Sequence, residues 1–147
     1  MTLADGAVCD LLRAQAKDRC QAVAQAGAAT VYQSGSAAGI RRLVLAIDTG
    51  DRVVVSPPVD VVAEQLASAT PTLRQVAIDG QPGVVLDVVA TWKPGAPTAH
   101  RQSVVGCTQR GALWKCAQVD VGACDARVGA DGTITTSCGA SAPLSIE

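Results

Sequence analysis

The sequence predicts an α+β fold: one long N-terminal amphipathic helix packed on a mostly antiparallel, hairpin-connected β-sheet, with disulfides as staples. Three observations carry this. Residues 3–26 are Ala-rich with apolar side chains at helical spacing. Most of the remainder is Val-rich runs separated by Gly, Pro and Asp turn signals. Four of the six cysteines fall between Cys107 and Cys138, at positions symmetrical about turns. The chain of 147 residues reads as one domain, 1–147, with 1–2 and 139–147 as frayed termini.

The helix is expected over 3–26. Thr2 and Asp5 resemble a capping box, and Gly27 suits the position just past a helix end. Cys9, Leu12, Ala16, Cys20 and Val23 form the apolar stripe, with Asp10, Arg13, Lys17 and Gln21 opposite. A small polar loop follows over 33–39. Residues 43–48 and 52–55 read as a first hairpin about Thr49-Gly50-Asp51, ended by Pro57-Pro58, and 60–68 as a short helix. A second hairpin pairs 73–78 with 84–92 across the tip 79–83. Along it Val84, Leu86, Val88, Ala90 and Trp92 alternate as a half-buried strand should. Residues 93–97 form a loop. A third hairpin covers 100–121 and a fourth 123–138.

The cysteine arithmetic follows from those turns. A two-residue turn at Gly111-Ala112 sets Cys107 opposite Cys116, and a loop centred on Asp131 sets Cys124 opposite Cys138. In a continuous helix Cys9 and Cys20 would lie about 16 Å apart at about 1.5 Å per residue, too far to bond each other. Either each takes a partner from the C-terminal four, or both are core thiols, or the helix is broken between them; they stay unassigned.

Composition excludes several classes. The apolar share is 48%, yet there is no Phe and only two Trp and one Tyr, so the core must be built from small and β-branched side chains. A net charge of −1 with interspersed signs offers no field for nucleic acid. No apolar run reaches transmembrane length. Met1 to Gly6 lack the basic and apolar regions of a leader. The even cysteine count without a Cys-x-x-Cys pair nonetheless suits an oxidising compartment. The expectation is a mature exported domain, periplasmic or extracellular and of bacterial composition, with its signal peptide absent from this chain and Met1 added. His100 is the only histidine, and the cysteines lack zinc-site spacing, so no metal and no cofactor is expected.

Two short motifs carry possible chemistry. Asp48-Thr49-Gly50, after Leu45-Ala46-Ile47, is similar to the Asp-Thr-Gly of retroviral-type aspartic proteases. That resemblance implies a dimer in which two Asp48 carboxylates share one proton, with 79–83 as a flap tip and Val104-Val105-Gly106 as a following family element. Asp51 stands where that family has Ala or Ser, and Cys107 where Arg is common; a hairpin turn is the preferred reading. Gln102-Ser103-Val104-Val105-Gly106 resembles the Gln-x-Val-x-Gly of cystatin-type protease inhibitors. That resemblance implies that Gln102, Val104 and Gly106 enter a papain-like cleft, with Trp114 standing in for a second-hairpin Trp. Strand pairing with 113–121 is the preferred reading there.

No nucleophile, base and orienting group converge in the sequence. The expected function is therefore non-catalytic: a binding or interaction module for a protein or small ligand. A cystatin-like inhibitor is the alternative, followed by an aspartic-type protease.

Overall fold

The computed structural model describes residues 17–36, 39–50, 52–78, 80–111, 113–122, 126–129, 133–136 and 141–143. Its strands pair antiparallel throughout, in three sheets. The first contains β1 (Lys17–Ala26), β2 (Ala29–Ser36), β3 (Ile40–Asp48) and β4 (Val53–Val55), with β5 (Val59–Val62) also paired to β3. The second is the meander β6 (Leu66–Ile78), β7 (Gln81–Trp92), β8 (His100–Arg110) and β9 (Leu113–Gly122). The third is small: β10 (Ala126–Val128), β11 (Thr133–Thr136) and β12 (Ser141–Pro143).

The α+β expectation is overturned, because no helix occurs among the described residues. Of the expected helix 3–26, the described part 17–26 is strand β1. Its register explains the misleading spacing. Ala22 pairs with Tyr32 and Ala24 with Val31, so Val23 is an extra residue, and a second irregularity falls between Lys17 and Cys20. Each bulge breaks the period of two, which leaves apolar residues spaced like a helical stripe. The helix propensity of Ala is worth only tenths of a kcal/mol per residue and yields to pairing with β2. The expected loop 33–39 is largely strand β2, and the expected helix 60–68 divides between β5 and β6.

The hairpins follow their turn residues. Arg110 pairs with Leu113, leaving a two-residue turn with Gly111 at φ +62°, as the first position of a II′ turn requires. Ile78 pairs with Gln81, so the second hairpin turns more tightly than expected, and Gln81 and Pro82 belong to β7. Val128 pairs with Ile134, centring the last hairpin on position 131.

β4 and β5 are two halves of one edge, interrupted at Ser56-Pro57-Pro58 because proline cannot donate to a ladder. Ser56 fills the gap. Its N–H donates to Leu45 O (2.8 Å), and its hydroxyl accepts from Leu45 N–H (3.0 Å) while donating to Pro57 O (3.0 Å). The buried backbone of β3 is thereby satisfied across a break in its neighbour.

The first two sheets pack face to face. Val31, Leu43, Leu45 and Ile47 from one meet Leu86, Val88, Val105 and Cys107 from the other. The inward set on β7, Val84 to Ala90 in steps of two, is the alternation visible in the sequence. The opposite face of the second sheet, Ile78, Val85 and Val104, is covered by Val128 and Ile134 of the third. Cys107 and Cys116, paired in register, are joined by a disulfide with Cα atoms 4.0 Å apart. Cys20, left unassigned by the sequence, is disulfide-bonded as well, which removes the free-thiol alternative for it; Cys9 lies outside the described residues. The expected Cys124–Cys138 bridge also falls outside them.

Candidate functional site

The sandwich is open at the end where β5 of the first sheet faces β7 and β8 of the second. A cavity of about 350 Å³ lies there, within the range of small-molecule sites. Its floor and walls are Val59 and Val61 on β5 with Val88 and Ala90 on β7, between 2% and 6% exposed. Ser103 on β8 completes the lining at that depth, directly paired with Val88. The mouth is formed by Trp92, Arg101, Glu64 and the loop over 95–98.

The mouth is tied across the two sheets by Trp92, whose indole Nε1–H donates to Val62 O of β5 at 2.9 Å. Lys93 N–H donates to Gln65 O at 2.8 Å, extending the β6–β7 ladder by one step. Gln65 holds φ +60° in the turn that carries the chain from β5 to β6, a left-handed conformation uncommon for a non-glycine residue. Asp60 also lines the cavity and is engaged in a two-point pair with Arg42 at 2.6 and 2.9 Å.

Of the five buried residues among those lining the cavity, four are aliphatic and the fifth is Ser103, 9% exposed. The Ser103 hydroxyl has no protein hydrogen-bond partner among the described residues and, unlike the buried Ser34 hydroxyl, is open to solvent through the cavity. Arg101, Ser103, Val105 and Cys107 share one face of β8, so that face runs from a charged mouth through a hydroxyl to the closed core.

A second cleft lies between the other face of the second sheet and the third sheet, lined by Arg74, Asp87, Arg127 and Thr135. It contains a polar latch. Gln102, 3% exposed, donates through Nε2 to Asp87 Oδ1 (2.7 Å) and Ala126 O (3.1 Å), and its Oε1 accepts from Ala126 N–H (2.8 Å). Arg74 donates to Val128 O beside it. Burial pushes the Asp87 carboxyl above its ordinary value of 3.8, opposed by the Gln102 hydrogen bond and the Arg74 charge. A raised folded value means that Asp87 contributes stability present below the unfolded value and lost as pH rises through the folded one. Asp87→Asn keeps an acceptor for Gln102 and removes that titration. Urea unfolding from pH 3.5 to pH 7 should show the variant gaining stability relative to the parent as pH rises; a flat or falling difference contradicts the assignment.

The motif residues fall into other roles. Asp48 ends β3, exposed in the turn to β4, and its Oδ1 accepts from Gly50 N–H at 2.9 Å. Thr49 closes the same turn, its N–H and hydroxyl both donating to Arg52 O. Gln102, Val104 and Gly106 lie buried within β8, an interior strand of its sheet, with Gln102 committed to the latch. Trp114 is half-buried on β9 against the main core, lining a cleft at the end of the sandwich away from the cavity. His100 is half-buried at the start of β8. Thus neither motif gathers its residues at the cavity. Among the described residues no group of three or more His, Cys, Asp or Glu is placed to hold a metal, and no helix is long and apolar enough to cross a membrane.

Sequence reasoning missed the cavity residues, with one signal available. Counting back in twos from core-facing Cys107 places Val105 and Ser103 on the same inward face, which marks Ser103 as a polar residue at a core position. No family model, no curated protein and no solved structure matches this chain.

Proposed function

We propose that this chain is an exported, non-catalytic binding module that takes a small ligand into the cavity between its two large sheets. The observation that carries the reading is the cavity itself: aliphatic walls on both sheets, an open mouth, and a rim braced across the sheets by the Trp92 indole. A braced, preformed opening lowers the ordering cost of binding. The Cys107–Cys116 bridge and the bonded Cys20 support an oxidising compartment.

A ligand filling 350 Å³ occupies the liquid volume of roughly 12 waters at about 30 Å³ each. A dozen non-hydrogen atoms at about 0.3 kcal/mol each give about 4 kcal/mol, a Kd near about 1 mM. Two-dimensional NMR titration with toluene, menthol and octanoate tests this at millimolar concentration. The expected result is saturable shifts at Val59, Val88, Ala90 and the Trp92 indole, and at least about tenfold weaker binding in Ala90→Phe, which fills the void. Shifts confined to other surfaces, or none with any probe, would refute the reading.

A further inference from the structure

We infer that the cavity is built for a neutral, compact ligand of about a dozen non-hydrogen atoms that carries a hydroxyl or carbonyl group at its inner end. This rests on the binding reading above and names the ligand class.

The position of Ser103 carries the argument. It is the single polar side chain at the depth of the aliphatic lining, a residue 9% exposed whose hydroxyl is open to the cavity and has no protein hydrogen-bond partner among the described residues. A hydroxyl open to a cavity between aliphatic walls is paired by whatever fills that cavity, water in the free protein and a polar group of the ligand in the bound one. A serine hydroxyl both donates and accepts, so an alcohol or a carbonyl oxygen satisfies it equally.

The surroundings select a neutral partner. At the level of Ser103 the neighbours are Val59, Val61 and Val88, and none of the lining residues at that depth bears a charge. An ionised head group drawn inward would shed its water with no counter-charge beside it. The charged lining groups, Arg101, Glu64 and the Arg42-paired Asp60, are all exposed rather than buried with Ser103, and they carry both signs. A carboxylate is therefore served only at the mouth, where water competes, and leaves Ser103 unsatisfied. The walls also favour an aliphatic body over a flat aromatic one. They are β-branched and Ala side chains, and the one ring, Trp92, is held at the rim by its bond to Val62 O.

The test compares matched probes on the whole chain by NMR titration: menthol, p-menthane with the same carbon skeleton and no oxygen, and octanoate. Menthol should bind at least about tenfold more tightly than octanoate. In Ser103→Ala, menthol binding should weaken about tenfold, the value of one hydrogen bond, while p-menthane binding stays within about twofold. The Ser103→Thr variant, which keeps the hydroxyl, should retain at least part of the menthol preference. If menthol and p-menthane respond alike to Ser103→Ala, or octanoate binds best, the ligand class is wrong while the cavity remains a binding site. If no probe shifts the cavity residues, the binding reading itself falls and this inference with it.

Discussion

Gln102→Ala should cost roughly 3 kcal/mol of stability, at about 1 kcal/mol for each of three hydrogen bonds. The side chain joins three elements: it holds Ala126 of β10 by both its N–H and its carbonyl, and it donates to Asp87 on β7. Its removal leaves a main-chain donor and acceptor unpaired at a half-buried strand, beside a carboxylate that burial already disfavours. The expected phenotype is selective. β10 should lose hydrogen-exchange protection and Arg127 should become open to trypsin, while β7 and β8 stay protected to the global limit. Gln102→Glu separates geometry from charge. At pH 7 it places a second carboxylate against Asp87 and should be as destabilised as the alanine variant. At pH 4 a proton shared between the two carboxylates should restore much of the loss. Uniform destabilisation without selective exposure of β10 would show that Gln102 acts through packing alone.

The same residue shows what could be read from sequence. Turns, strands with clean alternation and the Cys107–Cys116 staple all depend on neighbours within about a dozen residues, so the hairpins of the second sheet and the β3–β4 turn were visible. Gln102 was visible only as part of a five-residue motif. Its actual partners, Asp87 and Ala126, are 15 and 24 positions away on other strands, and nothing local marks such a pairing. β1 failed for a different reason. Its two register shifts displace apolar residues from alternate positions, so periodicity pointed to a helix where backbone pairing to β2 decides. β5 and the start of β6 were hidden by Pro57-Pro58 and the short apolar runs around them, which fit a helix turn as well as a strand.

The cavity is the least local feature of all. Its walls come from β5, β7 and β8, segments that approach only because the chain crosses from one sheet to the other through the Gln65 turn. A pattern argument can assign Val59, Val61, Val88 and Ala90 to buried faces. It cannot distinguish a face that meets another from one that stops short and leaves a void. Ser103 differs, because a hydroxyl at an inward position requires a partner, and that requirement is a property of the residue rather than of the fold.

Replacing both cysteines of the β8–β9 bridge, Cys107→Ala with Cys116→Ala, should cost about 2–3 kcal/mol, the loop-closure value for a ring of about ten residues. The bridge joins directly opposed positions of a hairpin already aligned by its Gly111 turn, so most of its effect falls on the unfolded chain. Truncating Cys107, which is fully buried in the main core, adds a small cavity cost. Two measurements distinguish these contributions. The urea m-value should rise in the double variant because its unfolded state is more open, and with every bridge reduced, the variant should match the reduced parent to within the truncation cost. The inter-sheet cavity should be indifferent: Cys107 lies four residues along β8 from Ser103, toward the hairpin turn and away from the mouth. Ligand affinity, measured with menthol well below the unfolding midpoint, should stay within about twofold. A large loss of affinity with the fold intact would mean that the staple sets the position of Ser103, and would make β8 a strained element rather than a rigid wall.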